Sequence, residues 1–413
     1  MKQLPEDFVR QTKPLMGEER FNRFLGAFEE EAPVSIRLNP MKTEQEGGHL
    51  SRPVPWCPEG YYLEGRPQFT FDPLFHAGCY YVQEASSMFI SHVLRQYVKR
   101  PVAMLDLCAA PGGKSTAAIA VLPEGSTLVS NEPNATRAQI LLENVTKWGW
   151  AGCSVTNNYP RDFRKSKAKF DVILCDVPCS GEGMFRKDPQ AIGEWSLQNV
   201  EKCWHLQREI VADAWECLHP GGLLIYSTCT FNTKENEENV RWMQQEYDGE
   251  ILSVPTEAAW GITGSLLEGF EAPVYRFIPG ITRGEGLFMA VVRKRGEKKE
   301  ERGERREERG ERKYLVQNQG IKAIALHLPP STLHQDLSYA DALRYLRGEA
   351  ITLTPDTPRG IVTVTYKGVP LGPVKNIGNR ANNLYPKPWR IKTTHLPTEP
   401  PVILEQIAKL KIQ

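Results

Sequence analysis

The feature that most constrains the fold is an alternation of apolar strands and amphipathic helices that begins near residue 101. An apolar segment over residues 102–107 leads into a glycine-rich turn, a helix that begins near Lys114, and a second apolar segment over 127–131. Strand–helix–strand units of this length place their strands parallel in one sheet. Helices then cover both faces, and ligands bind beyond the carboxyl ends of the strands.

The alternation continues to residue 292, which predicts one α/β domain of doubly wound, Rossmann-like type over 101–292. The further strands are predicted at 154–156, 172–175 and 223–227, and the helices between them at 134–148 and 196–218. Two last apolar segments, 274–278 and 287–292, are expected to close the sheet as an antiparallel pair.

With 413 residues the chain is longer than a single hydrophobic core usually serves, so additional domains are expected on both sides. Residues 1–100 predict a small helical and α+β region, with amphipathic helix over 1–31 and short strands and turns over 32–83. The run 293–313 contains almost only Arg, Lys, Glu and Gly, and is interpreted either as a solvated linker or as an RNA-contacting arm. It marks a domain boundary in either case.

Residues 314–413 return to a globular composition and predict a C-terminal α+β domain. A helix is expected over 338–346 and a strand over 361–366. The loop 371–391 combines Lys375, Arg380, Lys387 and Arg390 with Tyr385 and Trp389, and basic side chains between aromatics suit RNA backbones and unstacked bases. The alternative is a loop that its own aromatics pack against the domain.

Composition excludes several classes of protein. No segment approaches the roughly 18 apolar residues of a membrane span, and no signal peptide is recognisable, so a cytoplasmic protein without membrane contact is expected. Nine cysteines without a secretion signal predict reduced thiols, and no zinc-type spacing occurs, so no metal is expected. The net charge of +1 means that any nucleic-acid surface must be local.

The glycine-rich turn LDLCAAPGGKS is the predicted cofactor loop. Its small residues allow a ligand to approach the backbone closely. A phosphate-binding loop of nucleotide hydrolases would need glycine where Cys108 stands. Glu132, directly after the second strand, is placed to bind the two hydroxyls of a ribose. The pattern favours S-adenosylmethionine, with a dinucleotide and a nucleoside triphosphate as the alternatives.

Two cysteines follow the fourth and fifth predicted strands of the sheet. Cys179 lies in the segment DVPCSG and Cys229 in YSTCT. The ends of neighbouring parallel strands meet at one edge of the sheet, so both thiols are expected to face one pocket beside the cofactor. The alternative for each cysteine is a small buried apolar residue.

Methylation of cytosine at carbon 5 is a reaction that could use two neighbouring thiols. Carbon 5 of cytosine is a weak nucleophile, and a thiolate that adds to carbon 6 activates it toward a methyl donor. A second thiol nearby can assist the release of the adduct. Asp176 is predicted to bind the amino group and ring nitrogen of the base, with the capping of a strand-end turn as its alternative.

The segments YYVQEASSM, LDLCAAPGGKS, DVPCSGEGMFRKD and YSTCTFNTKENEENV together resemble the Sun-type family of RNA 5-methylcytosine methyltransferases, and in particular its bacterial RsmF-like subgroup. The resemblance covers residues 1–292 and implies the class I methyltransferase fold. The tail is similar to the RNA-binding extension of the same subgroup, which implies a PUA-like domain.

The resemblance also implies roles for individual residues. Cys229 would be the nucleophile, and Cys179 would assist release. The residues that would hold S-adenosylmethionine are Cys108, Ala109, Ala110, Pro111, Gly112, Gly113 and Lys114 around its methionine part, Glu132 at its ribose, Arg137 and Asp176 lining the site, and Asn158 at the adenine. The family places an aspartate at the adenine position, so Asp162 is the alternative to Asn158.

The substrate that the resemblance implies is the decoding region of 16S ribosomal RNA of the small subunit. A tRNA methyltransferase of the same chemistry and a non-catalytic ribosome-assembly factor are the alternatives. A monomer is expected.

Overall fold

The computed structural model describes residues 4–45, 52–296, 321–324, 333–393, 395–407 and 410–412. The charged run predicted over 293–313 lies outside the described residues from 297 onward.

The N-terminal region consists of a helical pair, a small antiparallel sheet and a longer helix. Its elements are α1 (Glu6–Met16), α2 (Glu18–Gly26), β1 (Ser35–Leu38), β2 (Thr43–Gln45), β3 (Arg52–Val54), β4 (Cys57–Tyr62), α3 (Pro73–His76), β5 (Tyr80–Val82) and α4 (Phe89–Tyr97). The sheet order is β3-β4-β1-β5. Helix α1 ends at Met16, and Gly17 with a φ of 75° begins the turn to α2, a conformation that favours glycine.

The central region is the predicted alternation of strands and helices. Its elements are β6 (Ala103–Asp106), α5 (Gly113–Ile119), β7 (Thr127–Asn131), α6 (Ala135–Trp148), β8 (Cys153–Thr156), α7 (Pro160–Lys165), β9 (Phe170–Asp176), α8 (Pro189–Glu194), α9 (Leu197–Glu216), β10 (Leu218–Thr228), α10 (Glu237–Tyr247), β11 (Glu250–Ile251), β12 (Tyr275–Phe277), β13 (Leu287–Arg293) and β14 (Ala323–Ile324). Every strand predicted from the apolar pattern is present within a few residues of its expected ends.

The central sheet has the strand order β11-β13-β10-β9-β6-β7-β8-β14, with β12 also pairing with β13. The five strands from β10 to β8 are parallel, and β13 pairs antiparallel with both β10 and β12. The order reverses beside β6, which is the first strand of the alternation. Ligands of doubly wound sheets bind at this reversal, so the fold places the site at the carboxyl ends of β6, β7, β9 and β10.

Side chains of each central strand alternate between two hydrophobic cores. Met104 and Val172 face the core that contains α4 and α5, whereas Leu105 and Ile173 face the core that contains α9 and α10. Burial on both faces explains why these strands are continuously apolar in the sequence. The predicted doubly wound α/β fold is confirmed.

Two details differ from the domain boundaries expected from the sequence. Helix α4, which lies within the predicted N-terminal region, packs in the core of the central sheet. Strand β14, which lies after the charged run, pairs antiparallel with β8 rather than joining the C-terminal domain. Sequence pattern does not reveal either packing, because both segments are short and their partners are distant in the chain.

The C-terminal region contains β15 (His334–Asp336), α11 (Tyr339–Leu346), β16 (Gly360–Tyr366), β17 (Val369–Asn376), β18 (Ala381–Asn383) and β19 (Leu410–Ile412). Strands β15 to β18 form one sheet in chain order, and β19 pairs with β2 of the N-terminal region. A single core joins the two terminal regions, because Tyr61 and Leu74 pack with Leu343, Val364 and neighbouring side chains.

Candidate active site

The two cysteines predicted to act together lie at adjacent strand ends. Strands β9 and β10 are parallel neighbours with Asp176 opposite Ser227, so the chain leaves the sheet at the same level on both. The Sγ atoms of Cys179 and Cys229 are 3.2 Å apart, and the backbone N–H of Cys229 donates to Sγ of Cys179 at 3.4 Å. Both side chains are half-buried. The structure thus brings the two thiols into direct contact.

The carboxylate of Glu235 holds the loop that carries Cys179. It accepts the backbone N–H and the hydroxyl of Ser180, together with side-chain N–H groups of Gln207 and Asn232. Burial raises the pKa of Glu235 to about 7, although Ser180 and Asn232 oppose the rise. The four donors come from α9 and from both loops, so this one side chain fixes their relative position.

A second buried carboxylate, Glu182, holds the loop that follows Cys229. Its Oε2 accepts the backbone N–H groups of Phe231 and Asn232 at 2.6 and 3.0 Å. Its Oε1 accepts the indole N–H of Trp195 and the amide of Asn232, each at 3.0 Å. Only 1% of Glu182 is exposed. Asn232 donates to Glu182 and to Glu235, and so joins the two carboxylates.

Tight backbone packing completes this arrangement at Gly183. Its N–H donates to the carbonyl of Cys229 at 2.7 Å, and a Cβ at this position would meet the same carbonyl oxygen at 2.7 Å. The Cα of Gly286, from the loop before β13, would be 3.0 Å away. Only glycine leaves room for the three loops to meet.

The surroundings of Cys179 disfavour its ionised form. The hydrogen bond with Cys229 and burial raise the pKa of the Cys179 thiol well above its ordinary range. Cys179 is therefore a protonated thiol in the free protein. Cys229 lies close enough to Lys114 to contribute to the raised pKa of the lysine ammonium group.

Asp176 lies between the cysteines and the cofactor loop. Its Oδ2 is 2.8 Å from Nζ of Lys114, and its Oδ1 accepts the hydroxyl of Ser227 at 2.6 Å. Burial disfavours the charge of Lys114, but the Asp176 carboxylate outweighs it, and the pKa of the lysine is raised. The structure thus connects Lys114, predicted to hold the cofactor, directly to the predicted base-binding carboxylate.

The cofactor loop leaves the end of β6 and enters α5. Gly112 precedes the helix with a φ of 114°, and no side chain caps this end. A Cβ at Gly112 would meet Leu141 at 3.2 Å, so the close packing against α6 requires glycine. Arg137 donates to the carbonyl oxygen of Ala110 at 2.7 Å and holds the loop from outside.

Glu132 fits the ribose role that was predicted for it. Its side chain is 3% exposed, and its Oε1 accepts the backbone N–H of Asn134 at 2.9 Å. Its Oε2 accepts no hydrogen bond within the described part of the chain and lies 3.4 Å from a guanidinium nitrogen of Arg137. A buried carboxylate oxygen that lacks a donor suits a ligand hydroxyl.

Asp106 is a site residue that the sequence interpretation missed. Burial raises its pKa to about 7, although Ser115 donates a hydrogen bond to its Oδ2 at 2.6 Å. Its Oδ1 accepts no hydrogen bond among the described residues. Its position in the sequence could have identified it, because Asp106 is the last residue of β6 before the cofactor loop. Glu182 and Glu235 were missed as well, although both lie inside the motif segments.

The residues proposed for the adenine have other partners in this structure. The side-chain oxygen and nitrogen of Asn158 both bond to the backbone of Lys322, at 3.0 and 3.1 Å, and so anchor β14. The alternative, Asp162, accepts the N–H of Tyr159 at the start of α7. The contact of Asn158 was not predicted from the sequence, because Lys322 is 164 positions away.

The aromatic and basic residues of the loop 371–391 divide into two sets. Tyr385 is buried, and Trp389 is half-buried with Nζ of Lys147 5.5 Å from its ring centroid. These aromatics pack the domain, as the alternative interpretation stated. Of the four basic residues, Lys375, Arg380 and Lys387 are exposed, and Arg390 is half-buried.

Within the described ranges, no helix is long and apolar enough to cross a membrane. Likewise, no group of three or more His, Cys, Asp or Glu side chains in those ranges is arranged to hold a metal ion.

Three sequence profiles match consecutive parts of the chain. Residues 4–85 match the N-terminal domain of 16S rRNA methyltransferase RsmF, residues 98–293 match 16S rRNA methyltransferase RsmB/F, and residues 332–391 match the methyltransferase RsmF PUA domain. The PUA-like C-terminal domain implied by the resemblance is thereby confirmed.

Curated relatives give the same result over almost the whole chain. Ribosomal RNA small subunit methyltransferase F of Cronobacter sakazakii is 31% identical over 439 aligned residues, which cover 88% of this chain and 91% of that protein. The protein of the same name from Pectobacterium atrosepticum is 34% identical over 71% of this chain and 63% of its own length.

Solved structures share the fold. NSun6 from Pyrococcus horikoshii with SFG has a TM-score of 0.57 at 20% identity and covers 71% of this chain and 99% of that one. A methyltransferase homolog protein from the same organism has a TM-score of 0.56 at 24% identity, over 70% of this chain and 100% of that one. Together with the full-length relatives, the profiles show that this chain belongs to the RsmF family of 16S rRNA methyltransferases.

Proposed function

We propose that this protein transfers the methyl group of S-adenosylmethionine to carbon 5 of a cytosine in 16S rRNA, in the decoding region of the small subunit, through a covalent adduct with Cys229. The observation that carries the proposal is the pair of thiols 3.2 Å apart at the ends of β9 and β10. The family supports the substrate, since its curated relatives are named as methyltransferases of small-subunit rRNA. We expect it to act as a monomer in the cytoplasm.

The residues around the reversal of the strand order fit the proposed cofactor. The loop from Cys108 to Lys114 would lie against its methionine part. Oε2 of Glu132, which accepts no hydrogen bond among the described residues, would be available to a ribose hydroxyl. A solved relative of the same fold contains SFG, an analogue of S-adenosylmethionine. When bound, the cofactor supplies an electrophilic methyl group.

The first task of the protein is to activate the base. The thiolate of Cys229 adds to carbon 6 of cytosine, and electron density moves into the ring, so that carbon 5 becomes nucleophilic. The carboxylate of Asp176, held by Lys114 and Ser227, is in place to accept a hydrogen bond from the amino group of the base. This orientation favours attack through the correct face.

The second task is to release the product. After methylation, carbon 5 carries both the methyl group and its original proton. Loss of that proton restores the double bond and breaks the bond between carbon 6 and Sγ of Cys229. The thiol of Cys179 is next to this sulfur. Once Cys229 is bonded to carbon 6, its charge no longer raises the pKa of Cys179, so Cys179 loses its own proton to solvent. The resulting thiolate then accepts the proton of carbon 5. Removal of Cys179 should therefore stop the reaction after methyl transfer.

The test uses purified small subunits and 16S rRNA with labelled S-adenosylmethionine. We expect the wild-type protein to label the rRNA, Cys229→Ala to lose labelling, and Cys179→Ala to form a protein–RNA band on a denaturing gel. Cys203→Ala, a half-buried cysteine on α9, is the matched control and should behave like wild type.

Two results would contradict the proposal. If Cys229→Ala traps RNA and Cys179→Ala does not, the two roles are exchanged. If only tRNA is labelled, or if rRNA binds without any methyl transfer, the substrate or the activity is wrong. Bisulfite sequencing of the product identifies the modified cytosine.

A further inference from the structure

A buried arginine connects the N-terminal sheet to the cofactor loop. Arg37 lies on β1 and has no exposed surface. Its Nη2 donates to the hydroxyl of Thr116 at 2.6 Å and to the carbonyl of Gly113 at 3.4 Å, and its Nη1 donates to the carbonyl of Thr116 at 3.2 Å. Gly113 and Thr116 form the first turn of α5, so three contacts of one guanidinium end on the helix that follows the cofactor loop.

The other partners of Arg37 keep its guanidinium in this position. Its Nε donates to Oε1 of Gln83 at 2.8 Å, and the guanidinium carbon is 4.4 Å from the ring centroid of Trp148. Gln83 is fixed in turn, because its N–H donates to the carbonyl of Ser35 and its amide to Ser87. The arginine is thus bound on one side by the N-terminal sheet and on the other by α5 and the end of α6.

Burial of the charged Arg37 side chain is unfavourable if its only role is to fill space. Burial lowers its pKa to about 10, so the side chain stays protonated at neutral pH. No carboxylate forms an ion pair with it in the described part of the chain. Burying a charge without such a partner is unfavourable, because the charge loses its hydration, and an apolar side chain of similar volume would fill the space without that loss. The directed donors are what an apolar residue cannot supply.

Those donors determine the shape of the loop that precedes the helix. The hydroxyl of Thr116 accepts from Arg37 and donates back to the carbonyl of Gly112 at 2.8 Å. Gly112 is the residue with a φ of 114° at the turn. A second contact supports the same loop, because the amide of Asn144 donates to Pro111 at 2.8 Å and lies 3.4 Å from the hydroxyl of Tyr81 on β5.

We propose that Arg37 is a positioning residue for the cofactor loop, and that the N-terminal sheet thereby completes the S-adenosylmethionine site of the central domain. The inference rests on the proposed function for the identity of the ligand. It makes the cofactor site a joint property of two regions that match separate sequence profiles, residues 4–85 and 98–293.

The test compares full-length Arg37→Met with wild type. Methionine keeps an unbranched chain but removes every donor. Mutation of a residue that holds a metal ligand in place typically lowers metal affinity by about 10- to 100-fold, and we expect a similar range for a residue that holds a cofactor loop. We therefore expect the Kd of S-adenosylhomocysteine, measured by calorimetry, and the KM for S-adenosylmethionine to rise by about that factor. The kcat at saturating cofactor and the Kd for rRNA should change by less than threefold.

A readout without cofactor separates positioning from general damage. Hydrogen–deuterium exchange of the cofactor-free protein should be faster in Arg37→Met for the amides of residues 108–117, and unchanged in β9 and β10. Arg37→Lys keeps the charge but loses the forked geometry, and should fall between wild type and Arg37→Met. Arg95→Met, which removes a half-buried arginine that binds Glu59, is the matched control and should leave the Kd for S-adenosylhomocysteine unchanged.

The outcomes distinguish this inference from the proposed function. If wild type does not bind S-adenosylhomocysteine, the proposed function fails. If wild type binds and Arg37→Met binds equally well, or if its exchange rises uniformly and kcat falls with KM unchanged, Arg37 is only a packing residue. Thr116→Val, which keeps Arg37 and removes its hydroxyl partner, provides the same comparison should Arg37→Met fail to fold, and equal affinity there also overturns the inference.

Discussion

The carboxylate of Glu182 offers the sharpest test of how the Cys229 loop is held. Glu182→Gln preserves the shape of the side chain but replaces one oxygen by an NH₂ group. If the amide oxygen keeps the two backbone N–H groups of Phe231 and Asn232, the NH₂ group faces the indole of Trp195 and the amide of Asn232, which are both donors. Two hydrogen bonds to a charged group are then lost in a buried site.

The magnitude follows from these contacts. A hydrogen bond to a charged group contributes about 1.5 to 3 kcal/mol, so the two losses amount to about 3 to 6 kcal/mol. Each kcal/mol lowers Tm by roughly 2 to 4 °C for a domain of this size, which gives a decrease of about 6 to 24 °C. The loop that carries the nucleophile should also shift, and a displacement of about 1 Å costs roughly 100-fold in rate.

The assay is thermal unfolding followed by fluorescence, together with kcat on rRNA. Glu201→Gln is the control, because Glu201 is an exposed partner of Lys234 near the same loop. Exposed ion pairs contribute little to stability, so the Tm of this variant should stay close to that of wild type. If Glu182→Gln lowers Tm by less than about 2 °C and leaves kcat unchanged, this carboxylate does not hold the loop.

Three further predictions concern separate parts of the molecule. Gly183→Ala brings a Cβ within 2.7 Å of the carbonyl oxygen of Cys229, so kcat should fall by about 10-fold or more. Binding of S-adenosylhomocysteine, measured by calorimetry, should stay unchanged. Gly193→Ala is the control, because a Cβ at this position would lie in open space. Asp106 has its pKa raised by burial from 3.8 to about 7, so the folded state binds a proton that the unfolded chain releases, and the stability of wild type should fall as pH rises from about 4 to 7. Asp106→Asn removes the contribution of Asp106, while that of Glu235 remains, so urea unfolding across that range should show a flatter profile than wild type. Equal slopes would contradict the shift. Neutralising the exposed basic residues of the C-terminal loop should weaken rRNA binding and reduce the slope of log Kd against log salt concentration by about 2 to 3. Titrations at several salt concentrations measure this slope. An unchanged slope would mean that RNA binds elsewhere. The three substitutions are Lys375→Gln, Arg380→Gln and Lys387→Gln.

The sequence by itself determined the central domain and the neighbouring strand ends that carry Cys179 and Cys229. Strands buried on both faces are apolar along their whole length, and this local property made β6, β7, β9 and β10 recognisable. The parallel order then required residues after β9 and β10 to be neighbours, and so paired Cys179 with Cys229 before any distance was known. The choice of Cys229 as nucleophile came from family resemblance alone, and it stays a prediction.

Only the tertiary structure decided how those groups are held. Glu182 lies in the loop after β9, whereas Asn232 and Glu235 lie in the loop after β10, and nothing local indicates that Asn232 joins the two carboxylates. Arg37 reaches α5 across 79 positions of sequence, and Asn158 reaches Lys322 across 164. A local pattern shows which residues are buried or lie at strand ends, whereas hydrogen bonds between distant segments depend on how those segments pack.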